Sequence, residues 1–330
     1  MSEAAALPLV SAHAVEAAAS GLRGVAVETP LLPAHWLSER IGAEARLKCE
    51  NLQRAGAFKI RGAYTMMARL SDEERARGVI AYSSGNHAQG VALAARMFNI
   101  PCTVVMPTTA PEVKRAGAAA LGADVVQEGT TSVERQARAE VLAAEHGYVI
   151  VPAFDHPDII AGQGTVGLEI LDDWADVEAI LVPIGGGGLA AGIGLWVKSR
   201  HPECMVVGVE PAQADAMARS LEAGEPVTIE PRGSIADGLM PVRPGDLTFA
   251  HARAFLDGVV RVSEEAIAEA AGELMRRSKL VVEFSGAATT AALLSGAWQP
   301  EGRRTVAVLS GGNMDPKRVL EVLGGTFSAA

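Results

Sequence analysis

The chain has 330 residues, 49% of them hydrophobic and only 4% aromatic, with 35 glycines and a formal net charge of −10. That length buries a large core and is enough for two domains or subdomains, and the abundance of small residues suits helices packed closely on a sheet. With no basic run to offset the negative charge, neither a nucleic acid nor a membrane is expected as a partner.

The chain starts Met-Ser-Glu-Ala, without the basic region of a secretory signal, and its three cysteines, Cys49, Cys102 and Cys204, stand far apart with no metal spacing. A cytoplasmic, reduced protein is the expectation. A short amphipathic helix is predicted over 11–20, with Ser11 as its cap and Gly21 as its stop. Thr29-Pro30 forces an extended segment, because a residue before proline avoids the helical region. Residues 45–50 read as a strand. Lys59 then follows a glycine-containing turn and opens an apolar helix through Tyr64, Met67 and Leu70. The helix dipole disfavours a lysine there, and an isolated lysine is ordinarily solvent-exposed.

Ser71-Asp72-Glu73-Glu74 is a capped helix start, and 79–82 a strand that runs into Ser83-Ser84-Gly85-Asn86-His87-Ala88-Gln89-Gly90. This loop of small, hydrogen-bonding residues ahead of a helix suits a carboxylate, although an ordinary N-cap with a satisfied histidine explains it as well. No Ser–His–Asp pattern surrounds His87. Strand 102–106, helix 111–121, strand 123–127, helix 131–146, strand 148–151 and helix 159–174 follow, an alternation that indicates parallel β/α units.

Residues 179–197 are a charge-free apolar run broken by four glycines, which read as a buried strand, a loop and a helix start. Four missing Cβ atoms let backbone N–H groups converge on an anion at the positive end of the helix, most plausibly a phosphate. A membrane span of this length would be weakened at its centre by the tetrad, and a flexible linker would be flanked by polar sequence. No Gly-Lys-Ser/Thr follows, which excludes a Walker A loop. A dinucleotide fold is the serious rival: Gly185, Gly187 and Ala190 fit G-x-G-x-x-A, and Glu210, ending strand 205–209, stands where a ribose-binding acid would.

A helix is expected after Pro211, then an irregular stretch over 224–245 that wraps the surface and whose Ala236-Asp237-Gly238 comes within reach of the site. Strand 259–262 and a helix over 263–279 follow. Glu283, in the apolar segment LVVEFSG, needs a partner or a ligand. Helix 286–295 leads to strand 305–309, which ends in Ser310-Gly311-Gly312-Asn313. Three loops of small residues at the carboxyl ends of parallel strands point to one shared cleft.

In this order GAFKIRGA, SSGNHAQG, GGGGL and LSGGN resemble the fold type II pyridoxal-phosphate enzymes (tryptophan synthase β-like), specifically the serine/threonine dehydratase (ammonia-lyase) and serine racemase group, over residues 30–313. The resemblance implies an α/β fold with two parallel-sheet domains and the cofactor between them, 1–52 and 151–330 making the large domain and 53–150 the small one. It implies that Lys59 forms the Schiff base, Phe58 packs on the cofactor ring, and Asn86 bonds its phenolic oxygen. Gly185, Gly186, Gly187, Gly188 and Leu189 would hold the phosphate, Ser310 the pyridine nitrogen, with Gly238 and Glu283 near the ring. Ser83, Ser84, Gly85, Asn86 and His87 would hold the substrate carboxylate, and Ser84 matches the second acid/base of the racemases.

The implied reaction is β-elimination of water from a small L-β-hydroxy amino acid, threonine or serine, to a 2-keto acid and ammonia. A lysine freed beside Cα is a base already in place, and it must be neutral to act. A serine at the pyridine nitrogen does not enforce ring protonation, which favours expulsion of a β-substituent. The alternatives are a serine or aspartate racemase, a dehydratase of 3-hydroxyaspartate or another 3-hydroxy amino acid, and, from a different class, an NAD-dependent oxidoreductase. Ala57 and Phe284-Ser285-Gly286 depart from the family pattern. Of the racemases' metal ligands, Glu210 and Ala214 match two, while Ala216 lacks the third carboxylate and only Asp215 stands beside it; a divalent cation thus meets an incomplete set. No regulatory domain follows Ala330, so feedback control is not expected, and a homodimer is the family-level expectation.

Overall fold

The most apolar run of the chain lies where burial is greatest. In the computed structural model, which describes residues 7–83, 85–110, 112–230 and 232–328, Ala179–Pro183 is a strand buried at every position. Among the described residues ten strands form two sheets. In chain order they are β1 (Leu31–Pro33), β2 (Ala45–Lys48), β3 (Val79–Tyr82), β4 (Cys102–Met106), β5 (Asp124–Gln127), β6 (Val149–Ile150), β7 (Ala179–Pro183), β8 (Met205–Pro211), β9 (Gly258–Val262) and β10 (Thr305–Val308). One sheet runs β1-β2-β10-β7-β8-β9 and the other β5-β4-β3-β6.

Parallel pairing holds throughout except at one edge, where β1 runs antiparallel to β2 with Leu31 opposite Lys48 and Pro33 opposite Arg46. The two parallel-sheet domains that the resemblance implies are thus present, with this one antiparallel edge pair added. An edge strand needs hydrogen bonds on one side alone, so a three-residue segment ending in proline is tolerated there.

Glycines set how the layers meet. Helix Pro157–Asp173 packs on helix Gly188–Arg200 so closely that a Cβ on Gly192 would lie 2.4 Å from Gly164 N and Ile160 O. On its other flank it meets helix Lys59–Ala68, where a Cβ on Gly162 would lie 2.6 Å from Arg61 O. The membrane-span reading of 179–197 is therefore replaced by a strand and a separate helix. Among the described residues no helix is long and apolar enough to cross a membrane.

Local signals mark element starts well. Ser11 caps helix Ala12–Gly21, and Ser71/Glu74 and Thr131/Glu134 form reciprocal capping boxes on helices Asp72–Arg77 and Ser132–His146. The stretch expected to be irregular contains a short turn at Asp237–Leu239, and helix Asp246–Phe255 follows it, which the sequence did not lead us to expect. That helix has Gly245 at its N-cap, and its first N–H groups, from Asp246, Leu247 and Thr248, donate instead to the carboxylate of Asp155 at 3.0–3.1 Å. A cap delivered from a distant segment leaves no local signature.

Candidate active site

Lys59 owes its position to a short ladder between two loops. Phe58 N donates to Ser310 O (3.2 Å), Gly312 N donates to Gly56 O (2.8 Å), and Ala57 pairs antiparallel with Gly311. The first turn of helix Lys59–Ala68 is thereby held at the carboxyl end of β10. A Cβ on Gly90 would come within 2.9 Å of the Lys59 Cβ, so helix Asn86–Phe98 packs directly on the lysine.

The Lys59 ammonium nitrogen donates to Ala153 O (2.9 Å) and lies 4.8 Å from the centre of the Phe58 ring. Burial lowers its pKa to about 8, with the negative charge of Glu283 opposing that shift. The free amine is thus far more accessible near neutral pH than that of an ordinary lysine. The exposed lysine of the bland reading is excluded.

Glu283 sits at the N-terminus of helix Phe284–Ser295 and accepts a hydrogen bond from Asn86 Nδ2. Asn313 Nδ2 donates both to Asn86 Oδ1 (2.9 Å) and to Ala55 O (2.8 Å). Burial, then the neighbouring Asp237, push the Glu283 carboxyl up, while Lys114, Asn86 and Lys59 pull it back. The partner that an acid in so apolar a segment requires is therefore Asn86. Gly238 joins the same cluster, its N–H donating to Ser285 Oγ (2.9 Å).

In the loop after β3, Gly85 N donates to Ser83 Oγ (3.2 Å). Ser84 lies outside the described residues. The buried His87 ring is committed to Val151 O (2.9 Å), and burial followed by the charge of Lys59 lowers its pKa to about 3. Its imidazole is neutral, with Nε2 turned to the backbone.

At the glycine tetrad the chain turns through Gly187 (φ 98°) into helix Gly188–Arg200. Among the described residues no acceptor meets the N–H groups of Gly185, Gly186, Gly187, Gly188 or Leu189. Side chains would close the cradle: a Cβ on Gly186 would lie 2.1 Å from the Phe154 ring, and one on Gly185 2.9 Å from Gly238 O. Phe154 follows the Ala153 carbonyl that holds Lys59, which ties tetrad and lysine together. Unpartnered N–H groups at a buried helix start, a buried amine and a serine hydroxyl at the end of β10 are the donors that a phosphate, an aldehyde and a pyridine require. The residues fit pyridoxal phosphate.

Glu210 is buried near the carboxyl end of β8. Its two oxygens accept the N–H groups of Met217 and Ala218, both at 2.9 Å, at the start of helix Ala216–Ala223. Burial raises its pKa to about 8, against those two bonds. Asp215 is paired with Arg219 and Arg261, and the described residues contain no group of three or more acids, histidines or cysteines able to hold a metal ion. The acid that the dinucleotide reading assigned to a ribose is thus a helix cap.

The structure adds a residue that sequence reasoning missed. Lys114, on helix Glu112–Ala120, is buried and paired with Asp237 across a cleft of about 720 Å³ that Glu283, Phe284 and Asn313 also line. In the sequence it is one lysine on an amphipathic helix, with nothing to distinguish it.

Residues 22–311 match the family model described as pyridoxal-phosphate dependent enzyme. The chain is 43% identical over 315 residues to an L-threonine ammonia-lyase of Thermotoga maritima, covering 96% of this chain and 78% of that one. It is 41% identical over 298 residues to an L-threo-3-hydroxyaspartate ammonia-lyase of Saccharomyces cerevisiae, covering 90% and 91%. The solved structure of maize serine racemase superposes with a TM-score of 0.92 at 33% identity, over 96% of this chain and 98% of that one.

Proposed function

This chain belongs to the pyridoxal-phosphate-dependent enzymes, and on that premise we propose that it is an ammonia-lyase converting L-threonine or L-serine to a 2-keto acid and ammonia. The observation that carries the reading is Lys59: a buried amine with a pKa lowered to about 8, held beside Ser310 and one residue away from the chain that lines the glycine cradle.

When bound, the cofactor would supply an electron sink for the pair released as a Cα–H bond breaks. The chain supplies the rest. The N–H groups of Gly185, Gly186, Gly187, Gly188 and Leu189 would hold the phosphate, Ser310 would meet the pyridine nitrogen and Asn86 the phenolic oxygen, with Phe58, Gly238 and Glu283 near the ring. Main-chain groups of 83–87, Ser84 among them, orient the substrate carboxylate. Once the substrate amine has displaced it, Lys59 Nζ takes the α-proton as its free amine, a form that burial favours by lowering its pKa.

A β-carboxylated substrate, 3-hydroxyaspartate, is the second reading, favoured by the 41% identity to the yeast enzyme. We further propose that 1–52 with 151–330 and 53–150 move as two domains about the cleft, that the protein is cytoplasmic, and that it is a homodimer. Its buried, unpaired cysteines suit a reducing compartment, and a two-fold dimer is the commonest closed assembly. The deciding experiment is Lys59→Ala. Loss of keto-acid formation and of the visible-absorption change on adding L-threonine is expected, and full retention of either would overturn the assignment.

A further inference from the structure

Elimination of water needs a second group besides the base, because hydroxide is a poor leaving group unless a proton reaches it. We propose that Lys114 is the general acid that protonates the departing β-hydroxyl. This inference deepens the ammonia-lyase reading and rests on it. Helix Glu112–Ala120 directs Lys114 beneath the loop proposed to hold the substrate: a Cβ on Gly85 would lie 3.1 Å from both Nζ and Cδ of Lys114. The side chain is 10% exposed, and what it reaches is the cleft lined by Asp237, Glu283 and Asn313. Asp237, on the turn Asp237–Leu239, holds the ammonium by an ion pair, and Glu283 lies within range of its charge.

Both lysines act on Glu283, so they share one neighbourhood, yet their surroundings differ in sign. Burial moves Lys59 down to about 8, against Glu283. Burial also opposes charge on Lys114, but Asp237 and Glu283 more than reverse that, and its pKa is raised. Lys59 thus gives up its proton more readily than an ordinary lysine, while Lys114 holds its proton more firmly. Two titratable groups in one site with pKa values pushed apart are the pattern of an acid and a base. An ammonium also protonates hydroxide downhill.

The step balances. Lys59 holds the α-proton, and the Cα–H electron pair ends in the Cα=Cβ double bond. The Cβ–O bond breaks with its pair on oxygen, a proton passes from Lys114 Nζ to that oxygen, and water leaves. The neutral Lys114 amine is recharged from solvent in the cleft, under the pull of Asp237.

The test compares L-serine with β-chloro-L-alanine, whose chloride departs without a proton, in the holoenzyme and in Lys114→Met and Lys114→Arg. Arginine keeps the charge and the ion pair with Asp237 but gives up no proton at working pH. Both variants should lose about 100-fold or more in kcat on L-serine while changing by less than about threefold on β-chloro-L-alanine. The visible-absorption change on adding L-serine should persist in both, which reports binding and an intact fold without turnover. Equal loss on the two substrates, or rescue of serine turnover by arginine, would overturn the proposal and leave the ammonia-lyase reading standing. A wild-type enzyme with no absorption change for either amino acid would overturn that reading itself.

Discussion

At the scale of single residues, the site depends on which groups carry charge at neutral pH. Glu283 is the carboxyl that raises the Lys59 pKa, against the burial that lowers it to about 8. In Glu283→Gln that opposing charge is gone, so the Lys59 pKa falls further and the free amine persists to lower pH. The acid limb of kcat for L-threonine should therefore move to lower pH, as read from a pH–rate profile. An unmoved or rising limb would show that another group controls it. His87 should add no inflection near its ordinary value, because its pKa is lowered to about 3 and its ring is spent on Val151. Lys59 was legible as a residue to explain, since a lysine opening an apolar helix breaks the dipole rule. Lys114 was not, because its importance lies in Asp237, 123 residues away.

At the scale of elements, the fold depends on close approach between helices as much as on their apolar faces. Helices Pro157–Asp173 and Gly188–Arg200 meet backbone to backbone at Gly164 and Gly192. Gly192→Ala would drive its methyl group into the Gly164 amide and the Ile160 carbonyl, atoms that move only if a helix moves. A loss of about 1–3 kcal/mol of unfolding free energy is expected, measured by urea denaturation. A neutral outcome would mean that the helices part at no cost. Strand and helix positions followed from apolar periodicity and local caps, and most of the elements named from sequence are present with ends shifted by a few residues. Helix Asp246–Phe255 escaped notice because Asp155 satisfies its first turn from another part of the chain.

At the scale of the molecule, a buried ion network ties the Lys59 helix to the larger sheet. The Arg61 guanidinium, 1% exposed, meets Glu50 at 2.7 and 2.9 Å and Glu169 at 2.6 and 2.8 Å, and Lys48 completes the set with Glu169 at 2.7 Å. Burial alone would raise the Glu50 pKa, but Arg61, with Thr29 and Lys48, outweighs it and the net shift is downward. The linked stability is thus present above the ordinary carboxyl pKa and is lost as pH falls through the depressed one. Arg61→Met would leave the buried Glu50 and the half-buried Glu169 short of positive charge. A loss of about 3–5 kcal/mol is expected in urea unfolding at pH 7, shrinking toward acid pH as Glu50 takes up its proton. A loss under 1 kcal/mol would show that Lys48 and Thr29 suffice.

What the sequence determined by itself was the alternation of strands and helices, the central buried strand and the three small-residue loops at strand ends. Each is a local property: periodicity, the absence of side chains, or a cap within four residues. Only the tertiary structure decided that β1 reverses at the edge, that Glu210 accepts the first N–H groups of a helix, and that the His87 ring is turned to the backbone. The same holds for Asn86, which joins Glu283 to Asn313, and for Lys114, which faces the cleft. The reason is common to all of them: a polar side chain's role is set by which donors and acceptors reach it once it is buried, and those come from segments far away in the chain.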